Sequence, residues 1–191
     1  MANNYTEDEH FEKIDFSKND LPKGTYENCS FTNCEFANSD LSGFIFENCD
    51  FDNCNLSMAK ITKSSMKDVR FNACKLLGLH FDECNEFLFA VDFQSCLLNL
   101  SSFYKQKLKK TRFKDCSLHE VDFAETDLTA ANFDNCDLSG AIFERSILEK
   151  TDFRTSTNYS FDPEVNRIKG AKFSLEGIAG LLQKYQIVIQ R

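Results

Sequence analysis

The sequence predicts a solenoid, a chain wound into stacked coils, and two patterns carry that prediction. From Phe93 to Phe153, every fifth residue alternates Phe and Leu without a miss. From Phe11 to Phe81, every fifth residue is again apolar, as in Phe11, Phe16, Leu21, Tyr26, Phe31 and Phe36. A strand buries every second residue and a helix roughly every 3.6. A period of five fits neither, and a short fixed period over most of a chain is the mark of a repeat architecture.

Composition narrows the class. A chain of 191 residues makes one domain with room for a small appendage. It carries 22 Lys and Arg against 30 Asp and Glu. That balance disfavours direct nucleic-acid binding and favours basic partners. The first residues, MANNYTEDEHFEK, are polar and acidic, unlike a signal or transit peptide. No apolar run approaches a membrane span, so a cytoplasmic protein without membrane contact is expected. Nine cysteines, an odd count without a secretory signal, point to reduced thiols.

Taken in order, residues 1–10 read as an N-terminal lead-in or cap. The repeat runs from 11 to 173. After Phe81 the next apolar centre in step with the later run is Leu88, seven residues on. Two extra residues therefore sit between Cys84 and Phe89, and a bulge or corner loop is expected around 82–87. Past Phe153 the pattern loosens into one last coil ending at Phe173, with a turn at Asp162–Pro163.

Residues 174–191 change character. Ser174 is placed to cap a helix. Leu175, Ile178, Leu182 and Tyr185 recur at helical spacing. Gly177 and Gly180 weaken such a helix and suggest close packing. QIVIQ then reads as a short strand. One apolar stripe would cover the last coil. The surplus makes Ile178, Leu181, Leu182, Ile187 and Ile189 candidates for a dimer contact. The alternative is that the whole segment folds back as a cap.

CDLSG (Cys136 to Gly140) and SDLSG (Ser39 to Gly43), with CDFDN, ANFDN and VDFAE, resemble the motif of the pentapeptide-repeat family. The resemblance spans residues 11–173. It implies an all-β solenoid: a right-handed quadrilateral parallel β-helix of about eight coils, one pentapeptide per side and 20 residues per coil, here with a C-terminal helix cap. Residues one coil apart should then stack. Allowing for the two extra residues, one side reads Phe11, Phe31, Phe51, Phe71, Phe93, Phe113, Phe133, Phe153, Phe173. The opposite side reads Leu21, Leu41, Ile61, Phe81, Phe103, Phe123, Phe143. A third reads Tyr26, Phe46, Met66, Leu88, Leu108, Leu128, Leu148, Ile168. All the cysteines but Cys84, which lies at the insertion, fall two residues before a centre. Six stack on one side: Cys34, Cys54, Cys74, Cys96, Cys116 and Cys136. A linear ladder of parallel side chains does not converge on a metal ion. Packed free thiols are expected, with no metal and no disulfide.

Chemistry-bearing constellations are not visible. His10, His80 and His119 fall at outward positions far apart, without a nucleophile and an orienting group. No phosphate-cradling glycine loop appears, so neither catalytic residues nor a cofactor are expected. Charge is the remaining signal. Residues 1–52 hold 12 acidic and 3 basic residues. Residues 101–114 hold 6 basic and none acidic: Lys105, Lys107, Lys109, Lys110, Arg112 and Lys114. Residues 115–153 hold 10 acidic and 2 basic. Winding spreads the basic run over two or three sides, as a solvated girdle rather than a stripe.

The whole-chain plan is similar to the gyrase-interacting members of that family, the quinolone-resistance and mycobacterial fluoroquinolone-resistance type. This resemblance implies a homodimer joined through the C-terminal end and a rod that imitates DNA in shape and charge. Its partner would be DNA gyrase or topoisomerase IV, bound where duplex DNA would lie. On that reading Asp122, Asp127, Asp137 and Asp152 face the partner. Two departures stand against it: the chain has only a two-residue bulge where the resistance proteins carry longer loops, and the basic run breaks the negative surface. The alternative is an interaction scaffold for another protein.

Overall fold

A computed structural model of the chain describes residues 4–188. Its strands are short and pair only in parallel. Strands β1 (Asn4–Glu7), β3 (Gly24–Glu27), β5 (Ile45–Glu47) and β7 (Ser65–Lys67) form a four-stranded sheet. Strands β2 (His10–Glu12), β4 (Ser30–Thr32), β6 (Asp50–Asp52), β8 (Val69–Asn72), β9 (Val91–Gln94), β10 (Arg112–Lys114) and β11 (Asn132–Asp134) form a seven-stranded one. Phe11 pairs with Phe31 and Phe31 with Phe51, so a coil takes 20 residues. Single parallel bridges such as Asp15 to Glu35 and Ser102 to Asp122 carry the ladder along the other two sides. The molecule is a parallel β-solenoid, as the repeat and its family resemblance predict.

The four sides are numbered here in chain order by their inward centres: face 1 from Phe11, face 2 from Phe16, face 3 from Leu21 and face 4 from Tyr26. The face 1 column stacks without a break from Phe11 to Phe173. Centroid distances run from 4.7 Å at Phe31–Phe51 to 5.5 Å at Phe153–Phe173. These rings meet those of face 3 edge-on, as Phe93 does Phe103 at 5.8 Å and 74°. Stacked and edge-to-face pairs both suit the ring quadrupole, so the interior gains beyond the area it buries.

Corners explain much of the remaining sequence. The last residue of most pentapeptides takes a positive φ, and Asn28, Asn33, Asn38, Asn48 and Asn53 fill it at 52–59°. Asn tolerates this left-handed region better than most residues. The repeated Asp closes the turn before it. Asp122, Asp127, Asp137 and Asp152 each accept the backbone N–H two residues on. All nine cysteines are buried and free. Most thiols donate to carbonyls of the neighbouring coil, as Cys54 does to Phe31 O at 3.2 Å. Burial pushes the Cys49 and Cys84 thiols up to about 12.

Three expectations need correction. The ladder begins earlier than the lead-in allowed, because β1 already pairs with β3 in the 20-residue register. Gly24 makes that possible: its missing Cβ leaves room for the backbone of Asn4. At the insertion, Leu88 does not point inward. It is 60% exposed with φ 56°, and Phe89 packs against Phe81 instead. The two extra residues swing out as a turn after the short 3-10 helix Phe81–Glu83, and Val69 to Val91 resumes the pairing. In the last coil, Phe161 covers Phe143, and Asp162 accepts the Glu164 N–H at the expected turn.

The cap helix is two 3-10 pieces, Gly177–Leu181 and Gln183–Tyr185, not one α-helix. Ser174 does accept the Gly177 N–H at 3.0 Å. A Cβ on Gly177 would collide with the Tyr159 hydroxyl, and one on Gly180 with the Tyr159 carbonyl. Close packing onto Tyr159 therefore sets the local backbone, as the two glycines suggest. Ile187 and Val188 are not in a strand, and Ile189 lies outside the described residues. No helix among the described residues is long and apolar enough to cross a membrane.

Candidate interaction surfaces

The four aspartates expected to face a partner do not share a surface. Bridges place Asp152 on face 1, Asp137 on face 2, Asp122 on face 3 and Asp127 on face 4. Three are also heavily engaged. Asp127 meets Lys109 at 3.2 Å. Asp152 meets Arg154 at 2.8 Å and Lys172 at 3.4 Å. Hydrogen bonding from the Arg154 guanidinium leads the effects that hold its carboxyl down to about 2. Burial opposes ionisation of Asp137, but donors from Asn158, Ser139 and His119 outweigh it and keep it well below the usual carboxylate range. Such carboxylates are parts of the corners before they are parts of any interface.

The first coils differ. Glu7, Glu27 and Glu47 occupy one register position on face 4, stacked coil on coil. The Tyr5 hydroxyl donates to Glu27 at 2.7 Å, and Lys67 meets only Glu47. Glu7, Asp8, Glu9, Asp20, Glu27, Glu35 and Asp40 have no cationic partner among the described residues. Two features of the sequence could have located this surface: the 12-to-3 acidic excess, and the scarcity of lysine one coil away.

The basic run does spread over three sides, with Lys105 on face 3, Lys107, Lys109 and Lys110 on face 4, and Arg112 and Lys114 on face 1. Most of it is paired across coils. Lys105 meets Glu125 at 3.6 Å, Lys107 meets Glu86 at 3.4 Å and Arg112 meets Asp92 at 2.7 Å. With Arg70 on Asp50, face 1 carries an alternating ladder Asp50, Arg70, Asp92, Arg112. Exposed pairs of this kind stabilise little and mainly balance charge locally.

The C-terminal end presents apolar surface. Leu181, a dimer candidate, is 7% exposed and belongs to the core of its own chain. Leu182 is half-buried, whereas Ile178 and Ile187 are exposed. Leu175 and Val188, outside the expected dimer set, are each 84% exposed.

The histidines stay apart. His119 bonds Asp137 at 2.7 Å, His80 faces Asp82 at 3.3 Å and His10 meets Ser30 at 2.7 Å. Among the described residues no group of His, Cys, Asp and Glu is arranged to hold a metal ion.

A family model for the pentapeptide repeat region matches residues 23–87 and 86–160. No curated protein matches the sequence. Among solved structures, trypsin-treated QnrB1, a plasmid-mediated fluoroquinolone resistance protein, superposes with a TM-score of 0.63 at 17% identity, covering 95% of this chain and 99% of that one. HetL, a pentapeptide repeat protein involved in heterocyst differentiation regulation from the cyanobacterium Nostoc sp. Strain PCC 7120, gives a TM-score of 0.39 at 16% identity, covering 91% and 87%. At these identities the likeness to solved structures is one of fold.

Proposed function

The chain belongs to the pentapeptide-repeat family, and from that membership we propose a binding protein, not a catalyst. It is an acidic rod that occupies, in a type II topoisomerase, the surface that duplex DNA would use. The partner is DNA gyrase or topoisomerase IV, the setting is the cytoplasm, and the rod itself does not bind nucleic acid. Two copies join through the exposed apolar residues of the C-terminal end.

One magnitude carries the reading. Residues 4–52 hold 12 acidic and 3 basic residues, a net of 3 − 12 = −9. They fill about two and a half coils, roughly 12 Å of axis at ~4.8 Å per coil. That is about one negative charge per 1.3 Å, close to the ~1.7 Å of duplex DNA. Few of these charges are paired within the rod, so a basic groove would find them available.

A second reading is favoured by a specific observation. Asp127, Asp137 and Asp152 are saturated locally, and the basic girdle interrupts the acidic surface. A scaffold for a different basic partner would use the same N-terminal coils.

Gyrase supercoiling and displacement of duplex DNA separate the two. The wild type should inhibit and compete, with inhibition falling as salt rises. The triple variant Glu7→Gln, Asp8→Asn, Glu27→Gln should lose several-fold in potency while keeping its fold. Absence of binding, or binding indifferent to both salt and DNA, would turn the assignment to the scaffold.

A further inference from the structure

The two-residue insertion leaves a notch in the rod at the corner between faces 4 and 1. It is a cavity of about 330 Å³ bordered by Phe89, Ala90 and Val91 of the resumed ladder. Lys107, Lys109, Lys110 and Arg112 line it from the next coil, and Arg70 from the coil before. Four of the six basic residues of the girdle therefore meet Arg70 at one place.

Thr111 lies in the same wall, only 6% exposed. On face 1 its equivalents Cys29, Cys49 and Thr151 each donate to the carbonyl 23 residues earlier, on Thr6, Tyr26 and Leu128. For Thr111 that residue is Leu88, which the insertion turns outward. The Thr111 hydroxyl has no acceptor among the described residues. Thr111 lines the notch, where solvent or a ligand can supply the partner that the rod does not.

The cations are not equally free. Lys107 and Lys109 lean on Glu86 and Asp127, and Arg112 on Asp92. Lys110 has no anionic partner among the described residues. Asp68 and Asp92 also border the notch, and Asp92 is already engaged by Arg112.

We propose that this notch binds a small phosphate-bearing anion, held by Lys110 with Lys107 and Lys109 and by the donated hydroxyl of Thr111. A tetrahedral oxyanion offers several acceptors at once, which suits ammonium groups and a hydroxyl donor converging from one wall. The volume stands at the lower end of small-ligand sites, so the ligand is a monoester or free phosphate rather than a polymer. The proposal does not depend on the topoisomerase reading, since it uses another part of the rod.

The test is amide NMR of the full chain titrated with inorganic phosphate and, separately, with phenyl phosphate, at ionic strength held constant with chloride. Both probes should give saturable shifts confined to residues 107–112 and 88–91. A preference for phenyl phosphate would assign the natural ligand as an ester, and equal affinity as the free ion. Lys110→Ala should weaken binding roughly tenfold, by loss of a charge-assisted hydrogen bond. Thr111→Val should weaken it several-fold and Thr111→Ser should restore it, which separates the hydroxyl from any effect on folding. Lys23→Ala, in the first coils, should leave binding unchanged. The proposal is overturned by absence of saturation below ~10 mM or by equal affinity in Lys110→Ala and wild type. Losses in Lys23→Ala that match those in Lys110→Ala, or shifts with a short DNA duplex alone, would overturn it too.

Discussion

Single residues in this chain are chosen chiefly by the corner they sit in. Asp152 illustrates the rule, accepting the Arg154 N–H, the Arg154 guanidinium and the Lys172 ammonium together. Its carboxyl is held at about 2, below the ordinary value of ~3.9. Folding therefore favours the ionised form. The stabilisation is complete above pH ~4 and is lost as pH falls through ~2. Asp152→Asn should cost about 1–2 kcal/mol near pH 6 and almost nothing near pH 2, as read by urea unfolding at both values. Equal deficits at the two pH values would show that packing, not charge, is what the side chain supplies. The motif made these aspartates easy to find but suggested a shared surface. Winding sends positions 122, 127, 137 and 152 to four different faces, and only the coil register shows that.

Elements follow from the period rather than from local propensity. The nine-membered phenylalanine column could be written down from spacing alone, and the structure stacks each neighbouring pair. Phe113 is fully buried between Phe93 and Phe133, whereas Phe11 has only Phe31 above it on its own face and is half-buried. Phe113→Ala should cost about 3–5 kcal/mol, and Phe11→Ala distinctly less. Comparing their urea midpoints checks this; equal losses would mean that the column is not the unit of stability. Two elements were not legible. At the insertion, Leu88 and Phe89 are both apolar, and only the path of the turn decides that Phe89 enters the core. At the C-terminus, spacing suited an α-helix, but close approach to Tyr159 at Gly177 and Gly180 imposes a tighter winding.

At the scale of the molecule, architecture was far more readable than partnership. Architecture is repeated at every coil, so a single deviation scarcely blurs it. Partnership depends on which charges remain unpaired after winding, and spacing along the chain does not report that. The same holds for the apolar end. Leu181 turns inward while Leu175, Ile178, Ile187 and Val188 stay exposed. Light scattering should give a dimer for the wild type and a monomer for Ile187→Asp with Val188→Asp, since both side chains lie outside the core of their own chain. A monomeric wild type would remove the end-to-end rod from the proposed mode of action.

The fixed step of 20 residues has a consequence for how such a chain can lengthen or shorten in evolution. Each coil meets only its neighbours. Loss of residues 113–132 would bring Phe93 directly beneath Phe133, with all four faces still aligned. Loss of 19 or 21 would shift every later centre against the columns below it. Length is thus quantised by the winding, and the extra pair near residue 88 is tolerated because a corner absorbs it before the next coil begins.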